Sequence, residues 1–135
     1  MKKLIVYVDG ASQGNPGPSG VGVVIYNEKK EVVRKTQKYI GEATNNIAEY
    51  SALIHGLKEA IILKPSQITV YTDSELIANQ MNNRYKVKNA KLQPLYQEAT
   101  HLLSSFDQAE IVHIYRSDNQ VADVLAFNAV RQRQR

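Results

Sequence analysis

The chain has 135 residues, 43% of them hydrophobic, no cysteine and a formal net charge of +4. That length supports one ordinary globular domain over residues 1–135 with a real core and leaves no room for a second, and a cysteine-free chain has no disulfide framework, thiolate metal site or thiol nucleophile, which suits the cytoplasm. The apolar run after Lys2-Lys3 breaks at Asp9, well short of a signal peptide, and nothing approaches the roughly 18 apolar residues of a membrane span, so a soluble, unprocessed protein is expected.

Leu4-Ile-Val-Tyr-Val8 reads as a strand buried on both faces, because five apolar residues in a row do not alternate. It ends in Asp9 and a turn-rich loop. Residues 20–26 and 32–40 read as second and third strands joined by a turn at 27–30, giving an antiparallel meander. From 45 to 63 the period becomes helical, with Tyr50, Leu53, Ile54, Leu57, Ala60 and Ile61 on one stripe, and Pro65 stops it. Residues 68–72 form a fourth strand ending at Asp73, and Ser74 caps a short helix over 75–81. A polar connection over 82–89 leads to a helix marked by Leu92, Leu95, Tyr96, Ala99, Leu102 and Leu103, with Pro94 near its first turn. A fifth strand spans 108–115, a turn or cap 116–119, and a terminal helix 121–130. This order predicts an α/β fold with a mixed five-stranded sheet, three antiparallel strands followed by parallel additions, flanked by helices.

Four acids fall at element junctions: Asp9 and Asp73 at strand ends, Glu49 and Asp123 in first turns of helices. The carboxyl ends of parallel strands and the adjacent helix N-termini open on one edge of such a sheet, so the four have a common meeting place. Unneutralised carboxylates repel, and their convergence calls for cations; oxygen ligands without cysteine or a spaced histidine pair point to Mg²⁺ or Mn²⁺ rather than zinc. Each acid also has an ordinary explanation, a variant capping box from Asn46 for Glu49 or helix-dipole complementation for Asp73 and Asp123. Asp123 resists that explanation most, because it interrupts Val121-Ala122-Asp123-Val124-Leu125-Ala126 on a helix that otherwise looks buried. Basic residues gather in 84–91 and in the tail from Arg131, away from the acids, a basic rim around an acidic centre.

Val8-Asp9-Gly10-Ala11 with Gly14-Asn15-Pro16-Gly17, then Thr44-Asn45-Asn46-Ile47-Ala48-Glu49, Tyr71-Thr72-Asp73-Ser74, and His113, Arg116 and Asn119 leading to Ala122-Asp123-Val124-Leu125-Ala126 together resemble type 1 ribonuclease H, over nearly the whole chain and in order. The resemblance implies the ribonuclease H-like fold and divalent-metal-dependent cleavage of the RNA strand of RNA/DNA hybrids, giving 5′-phosphate and 3′-hydroxyl ends. It implies Asp9, Glu49, Asp73 and Asp123 as catalytic ligands of two Mg²⁺ ions, with Asp9 between them. Two ions roughly 4 Å apart would activate a water and steady the leaving oxygen.

For the substrate, Thr44, Asn45 and Asn46 at a helix N-terminus suit a phosphate, which the resemblance assigns to the DNA strand. Ser12, Gln13, Gly14 and Asn15 suit ribose 2′-hydroxyls across the minor groove. Tyr85, Lys86 and Lys88 suit the DNA backbone, and Arg116 and Asn119 complete the expected contacts. The chain departs from the pattern twice. A glycine-rich loop with a mobile histidine, carried by many members before the last helix, is replaced by residues 115–120, and the extra helix with a basic protrusion of longer members is missing from 82–91. The alternative these departures keep open is a hybrid-binding module with little turnover. A 3′–5′ exonuclease or integrase of similar fold ranks lower, since Ala11 stands where such exonucleases typically place a second acid. His55 and His101 read as surface residues, Tyr7, Tyr26 and Tyr71 as sheet packing, the tail from Arg131 as a frayed end, and the protein as a monomer.

Overall fold

The computed structural model describes residues 3–134, so the terminal charges of Lys2 and Arg135 lie outside the described residues. Three strands come first, β1 (Lys3–Ser12), β2 (Gly17–Tyr26) and β3 (Val32–Ala43), followed by α1 (Asn45–Ile62). Then come β4 (Gln67–Thr72), α2 (Glu75–Met81), α3 (Gln93–Leu103), β5 (Gln108–His113) and α4 (Gln120–Arg131), with single 3-10 turns at Arg116–Asp118 and Gln132–Gln134. The strands lie in the order β3-β2-β1-β4-β5, with β1 antiparallel to β2 and parallel to β4, as the element order predicts.

The central strand differs from expectation in two ways that matter for the site. It does not end at Asp9. Its antiparallel pairing with β2 runs on to Ser12 opposite Ser19, whereas its parallel pairing with β4 stops at Val8 opposite Thr72. Asp9 therefore stands where β1 loses one neighbour and keeps the other. Nor is β1 buried on both faces: Leu4, Val6 and Val8 are fully covered, while Ile5 and Tyr7 are half-buried. The apolar run hid a period-2 strand. α1 packs on the Val6 and Val8 side, where Gly56 lets the helix close on both valines. α4 lies on the other face, chiefly over β2. Beside the first turn of α4, Tyr7 stacks on Tyr71 with centroids 5.0 Å apart and meets Tyr26 edge-on at 5.6 Å, which is the packing role expected of these rings.

Local chemistry accounts for most boundaries. Thr44 caps α1 by accepting the Ile47 N–H at 3.2 Å, and Ser74 does the same for Ile77 on α2. Asn46 is thus inside the helix rather than its cap, and Glu49 sits in the second turn, so the capping-box explanation for that acid fails. β5 stops at His113 rather than residue 115 because its partner β4 ends opposite it, and the Ile114 N–H closes the ladder on the Thr72 carbonyl. α4 is less buried than its sequence suggests: Ala122, Leu125, Ala126, Ala129 and Val130 face the sheet, but Val121, Val124 and Phe127 are exposed. Small residues on the inner face let a helix settle close to a sheet without a wide apolar stripe.

His55 is no surface residue. It lies half-buried between α1 and β3, 3.1 Å from the Thr36 hydroxyl and 3.7 Å from Glu59, which also pairs with Arg34. His101 is exposed, as expected. As far as Arg133 the tail is tied rather than frayed, with Gln37 donating to Gln132 and Arg133 to the Val130 carbonyl. No described helix is long and apolar enough to cross a membrane.

Candidate active site

Two glycines beside Asp9 decide what can reach it. Gly10 follows it on β1, and a Cβ there would fall 2.3 Å from the Ala48 carbonyl oxygen of α1. Gly22 is its register partner on β2, and a Cβ there would fall 2.3 Å from the Ala122 carbonyl oxygen of α4. The absence of side chains lets one helix press on the sheet from each side at the same level, and each carries an acid one residue further along: Glu49 after Ala48, Asp123 after Ala122. Sequence reading passed over these glycines, although glycine inside a strand is a recognised mark of close backbone approach.

Loss of the β4 pairing leaves the Gly10 N–H without a strand partner, and Glu49 Oε1 accepts it at 2.7 Å. Asp73 follows β4 directly and is held by Asn119, whose Nδ2 donates to the Val8 carbonyl at 2.9 Å and to Asp73 Oδ2 at 3.3 Å. Carboxylate oxygens of Asp9, Glu49 and Asp73 all lie within 4.8 Å of one another. Asp123 lines the same cleft and is met from outside by Arg116, Nη2 to Oδ1 3.4 Å. The structure thus brings together all four predicted acids, three as a tight triad and the fourth on its flank.

Burial raises the Asp9 carboxyl far above the usual carboxylate range, and the charges of Glu49, Asp73 and Asp123 raise it further. Burial also raises Glu49, with the charge of Asp73 next, against the Gly10 N–H, which pulls it down. These are acids held close with too little positive charge among them, since Arg116 is largely exposed and reaches only Asp123. Such a donor set, all hard oxygens converging in a half-closed cleft, fits a divalent cation.

The cleft encloses about 380 Å³ and is lined by the four acids together with Ser12, Gln13, Asn45, Arg116 and Phe127, among others. Ser12 already donates to the Ala43 carbonyl, Gln13, Gly14 and Asn15 are exposed at the rim, and Asn15 Oδ1 accepts the Asn45 N–H at 3.0 Å. Of the first three N–H groups of α1, those of Asn45 and Ile47 are therefore met from within the chain. Asn119 is 1% exposed, so it has no surface to offer a substrate; it positions Asp73 instead. Its Oδ1 is the one buried side-chain polar atom left without a partner among the described residues. Tyr85, Lys86 and Lys88 are exposed on the connection between α2 and α3, where Tyr85 and Lys86 line a separate groove with Asn83 and Tyr96. His113 is not among the residues lining the acidic cleft; Arg116 is the cation there.

A sheet of this order, with clustered acids where its parallel pairing ends and helices closing from both faces, defines a protein of the ribonuclease H-like class. The family described as reverse transcriptase-like matches residues 7–129. The ribonuclease H domain of Rv2228c from Mycobacterium tuberculosis is 40% identical and superposes with a TM-score of 0.92, covering 95% of this chain and 98% of that one. RNase H1 from Halobacterium salinarum gives 0.93 at 37% identity over 96% and 98% of the two chains, and LC11-RNase H1, solved in complex with an RNA/DNA hybrid, 0.93 at 38% over 98% and 99%. The chain belongs to the type 1 ribonuclease H family. It spans 35% of the length of the mycobacterial curated relatives and 64% of the Halobacterium ribonuclease HI.

Proposed function

We propose that this domain is an endonuclease that hydrolyses the RNA strand of RNA/DNA hybrids, leaving 5′-phosphate and 3′-hydroxyl ends. One observation carries the reading: the Asp9, Glu49 and Asp73 carboxylates converge within 4.8 Å around a largely buried Asp9. The same oxygens would hold Mg²⁺, or Mn²⁺ in its place, two per site, with Asp9 facing both and Asp123 completing the set. Divalent cations so held supply an activated water at neutral pH and charge relief for the leaving 3′-oxygen.

The chain's own groups do the rest. Glu49 is fixed by the Gly10 N–H and Asp73 by Asn119, so two of the four acids keep their aim before substrate arrives. Arg116, loosely held by Asp123, stands at the cleft mouth, free to turn to a phosphate oxygen of the strand being cut. Ser12 and Gln13 at the floor and rim suit the 2′-hydroxyls that separate RNA from DNA, and Thr44, Asn45 and Asn46 suit the phosphates of the opposite strand. Tyr85, Lys86 and Lys88 would extend that contact along the DNA backbone. All four acids come from one chain, in keeping with a monomeric single domain, and the cytoplasm suits its cysteine-free composition. The test is a cleavage assay on matched RNA/DNA, RNA/RNA and DNA/DNA duplexes with Mg²⁺ or Mn²⁺, for the wild type and Asp9→Asn. Selective hydrolysis of the hybrid's RNA strand, lost in the variant, is expected. Tight hybrid binding with no hydrolysis under either metal would instead assign a binding module.

A further inference from the structure

α4 carries more than Asp123 to the cleft. Asp123, Phe127 and Arg131 follow one another at intervals of four residues, a row of neighbours along one side of the helix. Phe127 lines the same cleft as the acids, yet is 49% exposed. The Arg131 guanidinium lies over its ring, 5.6 Å from the centroid. Among the described residues Arg131 forms no ion pair with a carboxylate. It is held at the end of the row against an aromatic face and is exposed.

An exposed phenylalanine beside clustered carboxylates is poorly explained by the domain's own packing, since the inner face of α4 is already made by Ala122, Leu125, Ala126, Ala129 and Val130. As a continuation of the substrate groove the pair makes chemical sense. At about 1.5 Å per residue the row from Asp123 to Arg131 is about 12 Å long. A nucleic-acid strand advances about 3.4 Å of axis per phosphate. A cation at that distance from the acids reaches a phosphate about two to four steps from the one being cut, and the ring between them meets the sugar face of an intervening nucleotide.

We propose that Phe127 and Arg131 form an additional subsite for the RNA strand of the hybrid, Phe127 resting on a ribose next to the cut and Arg131 binding one phosphate further along. This rests on the hybrid-nuclease reading of the cleft and adds a contact to it. Neither residue is placed in the chemistry itself.

The experiment is a scan in which one neutral methylphosphonate replaces each phosphate of the RNA strand in turn. Hybrid affinity is measured in EDTA and kcat/KM in Mg²⁺, for the wild type, Arg131→Gln and Phe127→Ala. The wild type should lose roughly tenfold in affinity at one position about two to four steps from the cut. Arg131→Gln should bind the unmodified hybrid that much more weakly, ignore the substitution at that position while keeping its response elsewhere, and show a salt slope smaller by about one. Phe127→Ala should raise KM several-fold with kcat nearly unchanged, and Phe127→Leu should recover part of it. An Arg131→Gln scan that matches the wild type, or weakens evenly at every position, overturns the subsite. The affinity arm in EDTA reads the contact even if no hybrid is cleaved, and absence of cleavage bears on the nuclease reading alone.

Discussion

Replacing Gly22 by alanine tests whether close helix approach is what assembles the site. The new Cβ would lie 2.3 Å from the Ala122 carbonyl oxygen, 2.7 Å from the Ala126 nitrogen and 2.7 Å from Leu125 Cβ. Ordinary carbon-to-carbonyl contacts are about 3.3 Å or more, so α4 must retreat by about 1 Å. Two of the obstructing atoms are backbone, which leaves no side-chain rotation to absorb the clash. Overpacking of this kind costs about 1–3 kcal/mol, which for a domain of this size lowers Tm by roughly 4–12 °C. The effect on rate should be larger in proportion, because Asp123 rides on the first turn of the displaced helix, and a misplacement of about 1 Å costs about 100-fold. Gly41→Ala is the control: its φ of +82° makes alanine strained, but nothing lies within 4 Å of the added carbon. It should lose about 1 kcal/mol of stability while hybrid cleavage, followed in single turnover, stays at the wild-type rate. If Gly22→Ala loses stability like Gly41→Ala and still cleaves at full rate, the spacing of α4 does not set the geometry of the acids.

The remaining expectations concern charge and the support behind it. Glu49→Gln keeps an oxygen to accept the Gly10 N–H but removes a buried charge, so without divalent metal its Tm should rise by several degrees while cleavage drops by at least about 100-fold; a fall in metal-free Tm would contradict this. Asp9 and Glu49 both have folded-state pKa values above those of the unfolded chain, so their protonated forms favour the fold below about pH 4, and that contribution fades as pH rises through the folded values, about 8 for Glu49. Metal-free Tm should accordingly decline from pH 5.5 to about 8.5, and Mg²⁺ should raise Tm more at the upper end, where fewer protons must leave; a flat or rising metal-free profile by circular dichroism would exclude that account. Asn119→Ala leaves the Val8 carbonyl and Asp73 without their donor, which should cost about 1–3 kcal/mol and lower kcat with little change in KM for hybrid; a raised KM alone would return Asn119 to the substrate surface.

Periodicity and turn chemistry made the element order readable because each signal is local: the stripe of α1, the stop at Pro65, the cap at Ser74. The four acids were readable only as a set: each alone has an ordinary explanation, but four at element junctions that open on one edge of the sheet call for a shared role. What stayed hidden depends on the neighbours each face acquires. The alternation of β1 vanished behind five apolar residues, and only α1 and α4 reveal which of them are covered. The exposed row on α4 was masked because its buried face is largely alanine, which contributes little to an apolar stripe. Asn119 looked like a polar loop residue open to substrate; its burial follows from a contact with Val8, a hundred and eleven positions away.

Each acid of the cleft is carried by a different element: β1, α1, the junction after β4, and α4. Local unravelling of any one of these four elements takes an acid out of the quartet. If the domain cleaves as proposed, its activity gauges how these four elements pack against one another: the fraction of competent molecules should follow their cooperative melting, without a partly active intermediate between the folded and unfolded plateaus.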